Sequence, residues 1–226
     1  MKILITFVSA LLMLCLMPLA LPMCSGETPS ADWSLLTGEP CGPPCWQGLT
    51  PGQSTSDEVA AFLATSGYVE DSSLRQDRSG CGEITSWNSS IGHLRDRPMS
   101  GWTSNYLCAS NGTVRVLMIH LVYDLTLEQL LDRHGAPEAL WAHFAGVPER
   151  RYAEVNLYYP ELGLMCQLEL PVQELELHPD AKVVRAWYFE PTAVSELDSL
   201  DAAMPVPDLP EFWQTWQGYG SIDLKP

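Results

Sequence analysis

The sequence is poor in positive charge. Of its 226 residues, 12 are lysine or arginine and 28 are aspartate or glutamate, which gives a formal net charge of −16 at pH 7. Proteins that bind nucleic acid present a basic face to the phosphates, so this balance excludes a nucleic acid partner. It also argues against direct binding to an anionic membrane surface. Acidity of this kind keeps a protein soluble.

The sequence also lacks the short motifs of common catalytic and metal sites. It contains no glycine-rich phosphate loop, no serine nucleophile elbow and no His-Glu-x-x-His pair. A zinc site needs three or four converging ligands, whereas the five histidines are scattered: His93, His120, His134, His143 and His178. We therefore assign no catalytic, cofactor-binding or metal-binding residue and expect no cofactor.

Several carboxylates fall in or beside predicted strands, and we expect them to form a solvated face: Glu161, Glu169, Glu174 and Glu176. General acid–base chemistry would require one carboxylate to lie in an apolar pocket. The sequence alone does not show such a pocket.

Long uncharged apolar runs are missing after residue 23, but one precedes it. Lys2 is followed by apolar residues 3–23, and the run ends at Cys24 before the polar residues 25–27. A single positive charge, an apolar core and a polar edge are typical of an export signal, so residues 1–23 are predicted to be a signal peptide.

The end of this segment resembles the lipidation motif of bacterial lipoproteins. It reads Leu21-Pro22-Met23-Cys24, in which Leu21 fits the motif and Met23 replaces the usual small residue. We favour a lipid anchor on Cys24 over a secretory signal cleaved after Gly26 and over an uncleaved anchor. The predicted location is the extracytoplasmic face of a bacterial envelope, with the protein held to the membrane by its N-terminal lipid or anchor.

Five cysteines lie beyond the export segment, and disulfides are the default for an exported chain. Cys166 alternates with Leu164 and Leu168 and is therefore predicted to be a free thiol in the core. The disulfide candidates are Cys41, Cys45, Cys81 and Cys108. Pairing of the first with the second and the third with the fourth is as compatible with the sequence as the crossed pairings.

The chain from residue 41 to residue 190 reads as two imperfect copies of one unit. In the first, at about 46–122, a capping box near Thr55 begins a short helix with apolar residues Val59, Phe62 and Leu63. Three strand-like runs follow, at Glu83 to Asn88, Trp102 to Ala109 and Thr113 to Val122. Asn111-Gly112 between the last two predicts a hairpin.

The second copy, at about 123–190, has the same order of elements. Its helix carries Leu127, Leu130 and Leu131 and stops at Gly135, and a second short helix is predicted from Pro137 to Phe144. Three strands are predicted after it, at Tyr152 to Tyr159, Leu164 to Leu170 and Val183 to Phe189. The predicted fold class is thus α+β, with two repeats that each combine one or two short helices with a three-stranded antiparallel meander.

The ends of the chain differ in composition from this domain. Residues 24–40 are predicted to be a tether, and 191–226 an acidic, proline-containing extension with a short helix from Val194 to Leu200. Four aromatic residues near the C-terminus either pack onto the domain, which we favour, or contact a partner: Phe212, Trp213, Trp216 and Tyr219.

Two stretches carry a family resemblance. Residues 48–67, with Glu58-Val59 and Leu63, and residues 128–137, with Leu130-Leu131 and Gly135-Ala136-Pro137, resemble the helical start of small bacterial envelope lipoproteins of the SmpA/OmlA (BamE-like) type. A duplicated form of that architecture occurs in the beta-lactamase inhibitory protein. The resemblance implies an envelope scaffold or protein inhibitor without catalytic residues.

The functional prediction is therefore a non-catalytic, lipid-anchored envelope protein that binds a protein partner. The alternative from another class is an exported hydrolase that uses a carboxylate or histidine site the sequence does not reveal.

Overall fold

The computed structural model describes residues 34–70, 72–90, 104–192, 204 and 210–224. The predicted signal peptide, Cys24, residues 25–33 of the tether and the helix expected at residues 194–200 lie outside these ranges. In the described part, no helix is long and apolar enough to cross a membrane.

Antiparallel strands dominate the architecture. Of the described residues, 49% lie in strands and 17% in helices. Nine strands form one sheet in the order β1-β2-β3-β4-β9-β7-β6-β5-β10, and β8 pairs with β11 separately. The strands are β1 Arg75–Ser79, β2 Gly82–Asn88, β3 Ser104–Ser110, β4 Thr113–Thr126, β5 Ala139–Val147, β6 Arg150–Tyr159, β7 Leu164–Pro171, β8 Glu176–Leu177, β9 Lys182–Phe189, β10 Gln214–Thr215 and β11 Gly220–Ser221.

The predicted α+β class with two three-stranded meanders is wrong. The first half of the chain supplies β1 to β4 and the second half supplies β5, β6, β7, β9 and β10, and the pairing of β4 with β9 joins the halves into a single sheet. Besides the two-residue strands β8, β10 and β11, two strands of the sheet escaped prediction. Strand β1 has the sequence Arg-Gln-Asp-Arg-Ser, which carries no apolar alternation.

The second missed strand is β5, which occupies the segment where a helix from Pro137 to Phe144 was expected. It pairs with β6 over nine residues, from Ala139 opposite Tyr158 to Val147 opposite Arg150. A proline at the first position favours a helix, but the nine cross-strand pairs with β6 outweigh that local preference.

The described α-helices are α1 Ser34–Thr37, α2 Ser56–Thr65 and α3 Leu127–His134. Helix α2 begins at the predicted capping box, in which the Thr55 side chain accepts from the Glu58 backbone and the Glu58 carboxylate accepts from the Thr55 backbone. Helix α3 follows β4 without a loop, since Thr126 is both the last strand residue and the N-cap. These two helices were predicted correctly.

The main hydrophobic core lies between the helices and one face of the sheet, here called the helix-covered face. Val59 and Leu63 of α2 and Leu127 and Leu130 of α3 are fully or almost fully buried in it. The sheet contributes alternate residues of its central strands, among them Leu117, Val155, Leu157, Leu164, Cys166 and Leu168. The opposite face of the sheet carries a second, smaller apolar cluster.

Two disulfides join cysteines that the sequence offered as candidates, Cys41 with Cys45 and Cys81 with Cys108. The second bridge ties the turn between β1 and β2 to strand β3. Cys166 is a buried free thiol, as its strand alternation predicts. The two bridges indicate an oxidising, extracytoplasmic environment.

The folded domain begins earlier than the predicted boundary at residue 41. Leu35 of α1 is buried in the main core, and the Leu35 carbonyl oxygen lies 2.7 Å from Nε2 of His134. The C-terminal extension is also part of the fold, because Gln214 pairs with Leu140 and Gly220 with Leu177.

Two glycines with left-handed backbone allow a controlled test of the packing around the turn into β7. Gly163 has φ +57° and a Cβ there would overlap the carbonyl oxygen of Phe189, whereas Gly112 has φ +76° and open space around its Cα. We expect Gly112→Ala to lower the free energy of unfolding by about 1 kcal/mol through backbone strain. Gly163→Ala should lose about 1–3 kcal/mol more through overpacking.

Urea denaturation of both variants measures the difference. Equal losses would show that the close approach of Gly163 to Phe189 does not constrain the turn.

Candidate functional site

The face of the sheet opposite the helices has an apolar end and a polar end. At the apolar end, Trp213 from the C-terminal extension stacks near Tyr158 with ring centroids 5.4 Å apart. The sheet residues of this cluster are Cys108, Val116, Met118, Ala139, Tyr158, Met165, Trp187 and Phe189. Half of the face is therefore an ordinary hydrophobic core.

At the polar end, five side chains from five adjacent strands form a line across the sheet. The register places His120 opposite Arg185, Arg185 opposite Gln167, Gln167 opposite Asn156, and Asn156 opposite Trp141. Residues directly opposite each other share a face, so we call this line the polar row. Its five strands span about 19 Å at the usual strand spacing.

Two glutamates lie one step along the strands from the polar row and meet its arginine. Arg185 Nη2 donates to Glu169 Oε1 at 2.9 Å, and Nη1 lies 3.6 Å from Glu154 Oε1. Nη1 also donates to Gln167 Oε1. The side chain of Glu169 is 1% exposed. The expectation that Glu169 belongs to a solvated face is therefore wrong, whereas Glu161, Glu174 and Glu176 are exposed.

The outer end of the site is formed by residues of β5 and β6. His143 Nε2 lies 3.5 Å from Glu154 Oε2, and the His143 ring stacks on Trp141 with centroids 4.1 Å apart and an interplanar angle of 11°. Tyr152 donates from its hydroxyl to Glu154 Oε1 at 3.1 Å. This end keeps the largest exposure, 20% for the His143 side chain and 12% for Glu154.

Several polar atoms of the site are buried and have no hydrogen-bond partner among the described residues. They are both nitrogens of His120, Nε1 of Trp141, Nδ1 of His143, both amide atoms of Asn156 and Nε2 of Gln167. Native proteins pair most such groups, and each unpaired one costs about 1–3 kcal/mol. This part of the sheet therefore holds most of the buried polar atoms that lack a hydrogen-bond partner among the described residues.

Burial also fixes the protonation of the histidines. Desolvation, aided by the charge of Arg185, lowers the pKa of His120 to about 3. Desolvation lowers the pKa of His143 as well, against the opposing effect of Glu154. With both imidazoles neutral, the charged groups are one arginine and two glutamates, which meet each other directly.

The polar row offers one imidazole, one guanidinium, two amides and one indole. No serine, threonine or cysteine belongs to the polar row, and Cys166 lies on the helix-covered face, where burial raises the pKa of its thiol. Within the described ranges, no three His, Cys, Asp or Glu residues are grouped so that they could hold a metal ion.

A second concave region is open to solvent and carries no comparable arrangement. It is lined by residues around β8 and β11, including Glu174, Glu176 and His178, and these three side chains are exposed. Exposed polar groups are satisfied by water and single out no ligand.

The four C-terminal aromatic residues do not form one surface. Trp213 joins the apolar end of the second face, while Trp216 packs against the main core with its ring 6.3 Å from that of Tyr219. Phe212 is half-buried, and Tyr219 is 46% exposed. A partner contact through these residues stays a prediction. Of the four, Tyr219 is the most exposed.

Sequence reasoning missed the site for two reasons. With β5 assigned as a helix, Trp141 and His143 had no place on a sheet face. Of the polar residues of β6 and β7 at the site, only Glu169 was assigned an environment, and it was assigned to a solvated face. The usable signal was a polar pair at alternate positions in two apolar strands, Glu154 with Asn156 and Gln167 with Glu169.

We expect Arg185→Met to lower the free energy of unfolding by about 3–5 kcal/mol, because it leaves two glutamates close together without their cation. Lys182→Met on the same strand is the matched control. Lys182 makes an exposed ion pair with Asp124 at 3.7 Å, and its loss should cost at most about 1 kcal/mol. Chemical denaturation measures both, and similar small losses would show that Arg185 does not hold the site together.

His120 should make stability depend on pH. Its pKa is lower in the folded chain than the value of about 6.5 in the unfolded chain, so the unfolded state takes up the proton first and stability falls as pH drops below 6.5. His120→Gln should remove about 2 kcal/mol of the loss between pH 7 and pH 5. Denaturation at the two pH values measures it, with the exposed His178→Gln as control. An unchanged pH dependence in His120→Gln would contradict a neutral, buried His120.

No protein-family model, curated protein or solved structure matches this chain. The resemblance to envelope lipoproteins and to the beta-lactamase inhibitory protein therefore stays an expectation from the sequence, and the function must be argued from the residues themselves.

Proposed function

We propose that this protein is an exported, lipid-anchored binding module without catalytic activity, and that it holds a protein partner as a scaffold or inhibitor. The observation that carries the proposal is the hairpin of β5 and β6, whose outer edge exposes Phe144 and Val147. Their relative exposures are 41% and 58%, and large apolar side chains at a sheet edge are typical of a contact surface.

The backbone of the same edge is available for pairing. On the outer side of β5, strand β10 covers Ala139 and Leu140, and no described residue pairs there with residues 141–147. The short 3-10 turn Pro210–Phe212 directly precedes β10 and takes the chain out of strand geometry. An extended segment of another protein would extend the sheet by main-chain hydrogen bonds, with Phe144 and Val147 beside it.

Charge adds selectivity to this edge. Arg151 lies with its guanidinium carbon 4.9 Å from the centroid of the Phe144 ring, and Arg150 precedes it. Glu149 in the same turn offsets one of the two positive charges. In a chain of net charge −16, this tip is basic and favours a partner segment with acidic residues beside its apolar ones.

The anchor limits where such a partner lies. Ten residue steps separate Cys24 from Ser34, the first residue the structure describes, and a fully extended chain of that length spans at most about 36 Å. A lipid on Cys24 would keep the domain close to the membrane surface, and the partner would be a membrane protein or another envelope component in that layer.

The alternative, an exported hydrolase, finds its best candidate in the contact of His143 with Glu154. Its geometry weighs against proton transfer, because Glu154 also faces Arg185 and Tyr152, and because burial lowers the pKa of His143. A general base near neutral pH would need the opposite tuning.

Photocrosslinking in intact cells tests the partner surface. With a benzophenone amino acid at position 147, we expect a discrete adduct that disappears when Phe144→Glu is added. The same amino acid at Leu74, which is 43% exposed at the other edge of the sheet, is the matched control and should give no adduct. Equal adducts at both positions, or none at position 147, would contradict the proposal.

The anchor has a separate test. Cys24→Ser should abolish lipid labelling and release the mature protein from the membrane fraction. Normal processing and full membrane retention of this variant would refute lipidation, without touching the proposed partner surface.

A further inference from the structure

We infer that the polar row, together with His143, Glu154 and Glu169, is a binding site for an uncharged, hydroxyl-rich ligand of the carbohydrate class. This site lies on the face of the sheet, apart from the β5–β6 edge proposed to hold a protein partner, and it is independent of that proposal.

The first argument is the contrast along the same strands. One step from the polar row, β6 and β7 carry Tyr158 and Met165, which pack in the apolar cluster of the same face. Hydrocarbon side chains therefore fit this face, yet Asn156 and Gln167 lie next to them fully buried, with both amide atoms of Asn156 and the amide nitrogen of Gln167 unpaired. Residues that break a local packing rule in this way are expected at functional sites.

The second argument is charge. Arg185 is engaged by Glu154, Glu169 and Gln167, so the charged groups of the site meet each other. A small anion would be repelled by two carboxylates that share one arginine. A cation would offer no acceptor to the N–H groups of Trp141 and Gln167. The groups still unpaired fit a neutral ligand.

The third argument is the hydrogen-bond inventory. The unpaired groups comprise donors on Trp141, Gln167 and Asn156, the acceptor Oδ1 of Asn156, and neutral imidazoles at both ends of the site. A ligand must therefore accept and donate at closely spaced positions. Hydroxyl groups do both, and several of them on one rigid ring match donors carried by adjacent strands.

The fourth argument is shape. Trp141 lies opposite Asn156 in the register and its ring stacks on that of His143, so an aromatic pair borders this end of the polar row. The outer ring face of such a pair is the kind of surface that packs against the apolar side of a sugar ring. Because His143 and Glu154 keep the largest exposure in the site, we place its entrance at their end. A pocket with apolar walls and a few converging polar groups is the usual form of a small-ligand site.

The test uses the purified full-length chain in detergent, with an array of neutral and charged glycans as probe and calorimetric titration of any glycan bound. We expect binding to at least one neutral glycan, weakened by about tenfold or more in Asn156→Leu and in Gln167→Met, since each variant removes hydrogen bonds to the ligand. Leu74→Glu, at the exposed far edge of the sheet, is the matched control and should bind as the wild type does.

A thermal melt without ligand separates a binding role from a structural one. Because Asn156 has no partner among the described residues, Asn156→Leu should raise the melting temperature by roughly 2–4 °C while it weakens binding. Gln167→Met removes an unpaired amide nitrogen but also an acceptor of Arg185, so its melting temperature should change little.

Three results would overturn the inference. They are binding to charged glycans or peptides alone, neutral-glycan binding that both variants retain, and a lower melting temperature or failure to fold in Asn156→Leu. The last would show that the amide holds the structure together through ordered water. None of these results bears on crosslinking at position 147, so the two proposals fail separately.

Discussion

The pairing of β4 with β9 is the constraint on which the rest of the molecule depends. The first half of the chain forms an antiparallel run of four strands and the second half a run of five, and this one ladder, from Val116 opposite Phe189 to Thr126 opposite Lys182, makes them a single sheet. The ladder is interrupted between His120 and Leu125, and the next ladder along shifts between Gln167 and Leu168. Both irregularities begin next to the polar row, where it passes from β4 to β9 and β7. The strands of the two halves are therefore in register at the polar row, and their pairing shifts beside it.

The two faces of this sheet obey different rules. The helix-covered face is filled with Leu, Val and Ala and follows the ordinary alternation of a buried strand. The opposite face divides between a hydrocarbon cluster and a charged, amide-rich patch that is nearly as buried. Stability explains the first face and half of the second. Burying the unpaired polar groups of the remaining patch costs folding free energy that packing does not offset. This cost supports a role for the patch in ligand binding.

The sequence predicts the local structure better than the assembly. Helix α2 follows from its capping box and apolar spacing, helix α3 from its leucine spacing, and the Asn111-Gly112 hairpin from two residues that accept positive φ. Strand β1 could not be predicted, because an edge strand buries little and needs no apolar alternation. Strand β5 could not be predicted from a short apolar run either, since only its partner β6 decides between helix and strand. Because β5 was not predicted, its part of the polar site was not predicted either. Trp141 and His143 join the site only through their pairing with Asn156 and Glu154 of β6.

The bridge between Cys81 and Cys108 has a consequence for when this protein becomes complete. Strand β1 is the most polar and least buried strand of the sheet, and the turn that leads from it to β2 is held to β3 by a covalent bond and not by a core. Without that bond, the outermost hairpin is held by the pairing of β2 with β3 and by the buried Trp87. Oxidation adds a covalent tie to this edge, so the sheet reaches its full stability in an oxidising compartment.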